Sequence, residues 1–185
     1  MRRPYDAYST PAWCVHRLLE AVDLPSGRWL EPAVGEGAIV RAVNQARPDI
    51  QWTTCDIRPE VGAQHTLDFV AFGALASIAD EAPWDVVITN PPYSQAALFV
   101  AQAWQVGRIV VMLLRLGWLS SARRAAMLRS RMPSVYVLPD RPSFTGNGSA
   151  PGDLAWMVWG LDEVPTIRLL ATTPYEERRR CLVSI

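Results

Sequence analysis

Asp85-Val86-Val87-Ile88-Thr89-Asn90-Pro91-Pro92-Tyr93 reads as an apolar strand that stops on a rigid turn. A continuous Val/Ile run without polar alternation belongs to a strand covered on both faces, as in a parallel sheet. Each proline fixes φ and lacks a backbone N–H, and a residue before proline is driven into the extended region, so the ladder ends at Thr89. Outward from this stretch, Arg28–Leu30, Ile50–Cys55, Arg108–Leu114 and Ser134–Leu138 read as further strands. Pro11–Val22, Ala38–Ala46, Gln95–Val106 and Leu119–Arg131 read as helices between them. That alternation predicts an α/β chain of βαβ units: a mostly parallel, twisted sheet of about seven strands with helices on both faces. Leu154–Trp159 is a late strand candidate, entered through the turn-rich segment from Gly146 to Gly152. With no internal repeat and no linker-like tract, one domain over residues 1–185 is expected.

Composition narrows the class. Half of the 185 residues are apolar and 19% are charged, which excludes a chain too polar to build a core. Apolar runs such as Ile109 to Leu114 stop short of the ~18 residues of a membrane span, so no membrane partner is expected. Met1-Arg2-Arg3-Pro4 leads into polar and aromatic residues rather than an apolar signal segment, and a cytoplasmic location is the expectation. Cys14, Cys55 and Cys181 lie too far apart for a zinc spacing, so the expectation is no metal and ordinary thiols. Every base is an arginine. Residues 86–139 carry six arginines and no carboxylate, whereas residues 1–85 carry seven against twelve acids. A 54-residue stretch without an acid is a candidate phosphate-facing surface, because the guanidinium fork matches phosphate geometry. The alternative is a solvated helix face.

Glu31-Pro32-Ala33-Val34-Gly35-Glu36-Gly37-Ala38 follows a short strand and opens a helix. Glycines there allow a tight turn and close approach of a ligand to the helix N-terminus. Asp56, 21 residues beyond Gly35 at the end of the next strand, stands where a ribose-binding acid belongs in a nucleotide-binding βαβ unit. The pair points to a nucleoside-containing cofactor; a dinucleotide and S-adenosylmethionine both present a ribose diol to such a carboxylate. Asn90 and the Pro91 carbonyl, held outward by the proline pair, form two fixed acceptors suited to an NH₂ group, and Tyr93 offers an aromatic face for a planar one.

With these motifs the chain resembles the class I S-adenosylmethionine-dependent amino-methyltransferases, and among them the small phage-type DNA adenine-N6 enzymes, over about residues 5 to 160. The resemblance implies a Rossmann-like fold and S-adenosylmethionine as cofactor. Tyr8-Ser9-Thr10-Pro11 is similar to the motif lying over the methionine end of the cofactor, which assigns Tyr8, Thr10 and Pro11 to it. Glu31, Pro32, Gly35 and Gly37 match the glycine loop, Asp56 and Ile57 the ribose acid and its adenine-packing neighbour, and Asp68 and Phe69 the adenine contact. Asn90, Pro91, Pro92 and Tyr93 match the catalytic tetrapeptide, and Phe144 resembles the aromatic that holds the flipped target base. Family members with the Tyr-x-Thr-Pro motif usually append a target recognition domain, whereas 37 residues follow Gly148 here. Sequence specificity then falls to loops such as Ser120 to Arg131 and Pro139 to Gly152, or to a separate partner.

The reaction so implied is methyl transfer to the exocyclic N6 of adenine in DNA. Tyr93 and Phe144 would flank the extruded base, and Arg123, Arg124, Arg129 and Arg131 would contact phosphate. It needs positioning and electrostatics rather than a histidine base, so His16 and His65 are read as incidental. The same acceptor pair also suits adenine in RNA or a protein glutamine amide, and a non-catalytic nucleic-acid-binding module could retain the scaffold.

Overall fold

The computed structural model describes residues 9–144 and 152–180. In chain order the elements are α1 (Ala12–Ala21), β1 (Arg28–Glu31), α2 (Ala38–Ala46), β2 (Gln51–Asp56), β3 (His65–Thr66), β4 (Trp84–Thr89), α3 (Ala96–Val106), β5 (Gly107–Arg115), α4 (Ala125–Ser130), β6 (Ser134–Val137), β7 (Leu154–Trp159), β8 (Ile167–Leu169) and α5 (Tyr175–Arg180). The strands form one sheet in the order β3-β2-β1-β4-β5-β7-β6-β8. Strands β3, β2, β1, β4 and β5 run parallel, β7 is antiparallel to both β5 and β6, and β8 is parallel to β6. Strand order reverses between β1 and β4, in register at Trp29–Val86 and Leu30–Val87. Such a reversal opens a crevice at the carboxyl ends of the two strands, where α/β sheets bind ligands.

The continuous apolar runs are explained by burial on both faces. Val86 and Ile88 of β4, with Ile109, Val111 and Leu113 of β5, pack on the side of α1 and α2. Val87, with Val110, Met112 and Leu114, packs on the side of α3. Each helix presents the matching stripe: Ile39, Ala42 and Val43 are buried in α2, and Ala96, Phe99, Val100 and Ala103 in α3. Those i, i+3, i+4 spacings are the inward face of a 3.6-residue period.

One expected element is corrected by the structure, and several elements are added to those read from the sequence. The expected mostly parallel sheet of about seven strands is present, with eight strands. The additional pairings come from β3, two residues long, and β8, whose three residues are all exposed, so neither carries a hydrophobic period. The helix expected over Leu119–Arg131 is broken into 3-10 turns at Leu116–Leu119 and Ala122–Arg124 followed by α4. Ser120 and Ser121 sit at the break, where short polar side chains compete for backbone hydrogen bonds. A 3-10 segment at Ala74–Glu81 and helix α5 had no counterpart in the sequence reading.

Trp156 ties the antiparallel end of the sheet to the first helix: its ring is fully buried and its Nε1–H donates to the Cys14 carbonyl at 2.8 Å. Trp156→Phe removes this bond and leaves a small void, which together cost about 2 kcal/mol. Urea denaturation should show a lower midpoint with an unchanged slope.

Candidate functional site

At the reversal point the backbone after β1 is held by hydrogen bonds to the end of β2. Val34 N–H donates to the Cys55 carbonyl at 2.9 Å, and Gly35 N–H donates to Asp56 Oδ2 at 2.8 Å. Gly35 (φ 54°) and Gly37 (φ 73°) both lie in the left-handed region, which a side chain makes costly, and Gly37 is the N-cap of α2. The loop thereby curls over the start of α2 beside a cavity of about 800 Å³, within the size range of small-molecule and cofactor sites.

Asp56 is 4% exposed and carries four hydrogen bonds. Besides Gly35, they come from the Arg58 N–H (2.9 Å) and Nε–H (3.0 Å) to Oδ1 and from the Arg58 Nη2–H (3.2 Å) to Oδ2. Burial alone pushes the Asp56 carboxyl up, but these bonds and the guanidinium charge outweigh it and hold the group below the usual carboxylate range. Glu31, at the end of β1, is in the opposite condition. It lines the cavity at 2% exposure, and its Oε2 is buried without a hydrogen-bond partner among the described residues. Burial pushes its carboxyl well up; the Val40 N–H and Arg41 offset this only in part, and Asp56 adds to it.

The structure gathers most of the expected cofactor residues. Thr10, Glu31, Pro32 and Gly35 line the cavity on one side, and Asp56, Ile57, Asp68 and Phe69 continue the lining. Pro11, the N-cap of α1, and Gly37 are not part of the lining, and Tyr8 lies outside the described residues. Ile57 is exposed and apolar, whereas Phe69 is buried and packs against Phe99 with ring centroids 5.4 Å apart. Phe99, Leu67 and Arg58 belong to the lining but were missed. An arginine two residues past a strand-end acid can fork back onto it, and that was a readable signal for Arg58.

Asn90 and Pro92 also line the cavity. Asn90 Nδ2–H donates to Thr10 Oγ1 at 3.1 Å, and the Pro92 carbonyl accepts the Gln95 N–H at 2.9 Å. Asn90 Oδ1 and the Pro91 carbonyl accept no hydrogen bond from the described residues. Tyr93 packs partly against the α1-side core, as does Phe144. The Arg115 guanidinium, at the end of β5, lies 4.9 Å from the Tyr93 ring centroid; the sequence reading did not single it out.

The four candidate phosphate arginines are not gathered at this end. Arg123 is exposed, while Arg124 donates to the Trp118 carbonyl at 2.7 Å and covers the Trp118 ring. Arg129 lies in the last turn of α4 and is exposed, and Arg131 is the C-cap of that helix. Arg131 covers Trp104, and its carbonyl accepts Trp159 Nε1–H, next to the start of β5 and opposite the cavity end. Their spread follows from the broken helix, which leads the chain from the end of β5 to the start of β6.

Of the two histidines, His65 pairs with Glu81 at 2.6 Å and is not in the cavity lining. Cys14 and Cys55 are buried, and burial, aided by Glu81 and Asp56, pushes the Cys55 thiol up to about 12. Among the described residues no cluster of three or more His, Cys, Asp or Glu could hold a metal, and no helix is long and apolar enough to cross a membrane.

No family model and no curated protein matches the chain. Solved structures do. The methyltransferase subunit of a type I restriction-modification system from Streptococcus thermophilus superposes with a TM-score of 0.66 at 12% identity, covering 95% of this chain and 52% of that one. A predicted O-methyltransferase from Agrobacterium tumefaciens gives 0.58 at 17% identity, covering 93% and 96%. The 23S rRNA methyltransferase ErmE gives 0.52 at 14% identity, covering 85% and 70%. The chain spans about half the length of the restriction-modification subunit. At these identities what is shared is the fold: this chain has the Rossmann-like architecture found in class I S-adenosylmethionine-dependent methyltransferases.

Proposed function

We propose that the chain is an S-adenosylmethionine-dependent methyltransferase domain that methylates the exocyclic N6 amino group of adenine in DNA. The observation that carries this reading is the pair of acceptors, Asn90 Oδ1 and the Pro91 carbonyl, left unengaged among the described residues beside a cavity that holds a glycine loop and a strand-end acid.

The residues present fit the cofactor. The buried Glu31 Oε2, without a hydrogen-bond partner among the described residues, suits a cationic group, and the left-handed Gly35 and Gly37 form the tight loop beside it. Asp56 would hold the ribose hydroxyls, with Ile57, Phe69 and Asp68 around the adenine. When bound, the cofactor supplies a methyl group activated on a sulfonium. On the acceptor side, Asn90 Oδ1 and the Pro91 carbonyl take the two amino hydrogens and aim the nitrogen lone pair into the cavity. Thr10 anchors the other end of the Asn90 amide. Tyr93 and Phe144 are the aromatic surfaces for an extruded base; on the Tyr93 side facing Arg115, the base would take the guanidinium's place. Target selection rests with the loops beyond β5 and β6 or with a partner subunit.

The direct test is incubation with methyl-labelled cofactor and separate DNA, RNA and protein substrates, followed by nucleoside and peptide mass spectrometry. N6-methyladenine in DNA is the expected product, and label found only in RNA or on glutamine would replace the substrate assignment.

Asn90→Ala is expected to abolish turnover while keeping cofactor affinity within about tenfold, or ~1.4 kcal/mol, because it contacts the acceptor side. Methylation near the wild-type rate would sink the assignment of Asn90.

The carboxyl of Glu31 is pushed up in the folded chain from its ordinary value of 4.5, so its contribution to stability is complete below that pH and is lost as pH rises through the folded value. Glutamine has no proton to lose. Glu31→Gln should therefore melt higher than wild type by a margin that widens as pH is raised, yet bind the cationic cofactor more weakly. Calorimetric melts across pH and a titration check the two halves, and a margin independent of pH would contradict the first.

Arg123, exposed on the 3-10 turn that follows β5, should flatten the log–log salt slope of duplex binding by about 0.9 when replaced by alanine, whereas Arg131→Ala, at the far end of the sheet, should leave it unchanged. Binding titrations over a salt series decide between them, and equal slopes for wild type and Arg123→Ala would remove Arg123 from the surface.

A further inference from the structure

Asp56 has no acceptor capacity to spare. A carboxylate offers about four lone-pair sites, and here two accept backbone N–H groups, from Gly35 and Arg58, while two accept the Arg58 guanidinium. The backbone donors are fixed by the loop. The guanidinium bonds end on a rotatable side chain that lines the cavity and is 20% exposed, against 5% for the Asp56 side chain. The fork also lies over the glycine loop, since a Cβ on Gly35 would meet Arg58 Nη2 at 3.4 Å. A vicinal diol approaching Asp56 needs the two sites that the side chain holds.

We propose that Arg58 sets the affinity of the cofactor site: in the free protein its guanidinium occupies the two positions on Asp56 that a ribose diol takes, and ligand binding requires the fork to let go. The proposal rests on reading the cavity as a nucleoside-cofactor site. Release does not strand the charge. Glu36 and Glu60 line the same cavity, are exposed, and are the two further carboxylates whose charges act on Arg58. Exchange of the fork for a diol keeps Asp56 fully bonded throughout, so the acid is never bare in a site that already contains the poorly solvated Glu31. It also lowers affinity for any adenosyl ligand, product included, which favours exchange of spent cofactor.

The consequence runs against the usual effect of deleting a binding-site residue. Calorimetric titration of the full chain with S-adenosylhomocysteine is expected to give about three- to tenfold tighter binding for Arg58→Ala, the order of a partly exposed ion pair. Arg58→Gln, which keeps the aliphatic stem, should shift in the same direction and serves if the alanine variant folds poorly. Asp56→Asn should bind more weakly, and adding Arg58→Ala to it should bring no gain, because the competition needs the acid. Carboxyl carbon NMR without ligand gives an independent reading: the Asp56 titration should move up when Arg58 is replaced. Unchanged or weaker binding by both Arg58 variants, with wild type binding normally, overturns the proposal alone. No binding by wild type or variants, with the Asp56 titration still moving, overturns the cofactor reading and the proposal with it.

Discussion

The hydrogen bond from Gly35 N–H to the Asp56 carboxylate joins the ends of two neighbouring parallel strands, and the rest of the site is arranged around it. It fixes the height of the glycine loop above the sheet, and so the direction in which α2 leaves it. It also keeps one oxygen of a buried acid occupied whatever happens at the other sites. The left-handed conformations of Gly35 and Gly37 are the steric condition for the bond, and the Val34 to Cys55 bond is its backbone companion. Without this clamp, the crevice between β1 and β4 would still exist, but nothing would hold an acid at its mouth.

Two carboxylates share this crevice and are pushed in opposite directions. Asp56 is charged because donors surround it, and Glu31, one strand away, is driven toward the neutral form because they do not. The difference comes from the backbone: the loop turns its N–H groups toward the end of β2 and leaves the end of β1 facing empty volume. A folded chain that retains such an acid gives up stability at neutral pH, a pattern expected of binding sites rather than of cores.

The fold was legible where burial imposes a period. Residues 38–46 read as a helix and fold as one with the same bounds, and the strand expected over Asp85–Thr89 ends where expected and begins one residue earlier, at Trp84. Reading failed where burial is absent or the element is short, as in β3 and the exposed β8, and where Ser120 and Ser121 interrupt a helical pattern. For the site, the cavity collects Glu31, Gly35, Asp56 and Asn90, each at a strand end or in the loop after one, because topology brings strand ends together. The arginines were harder to place. A charge count along the chain has no direction, so it could not show that Arg131 ends up at the opposite end of the sheet from Arg115.

Cys55 immediately precedes Asp56, is fully buried, and holds its thiol up at about 12. In the closed fold such a sulfur is almost wholly protonated at neutral pH and out of reach of alkylating reagents, so it reacts only when the end of β2 separates from its neighbours. The molecule therefore carries a chemical clock beside the cavity. The rate at which a peptide containing Cys55 takes up a thiol label measures how often the loop clamp opens, and any ligand that bridges the loop and Asp56 slows that clock without needing to be turned over.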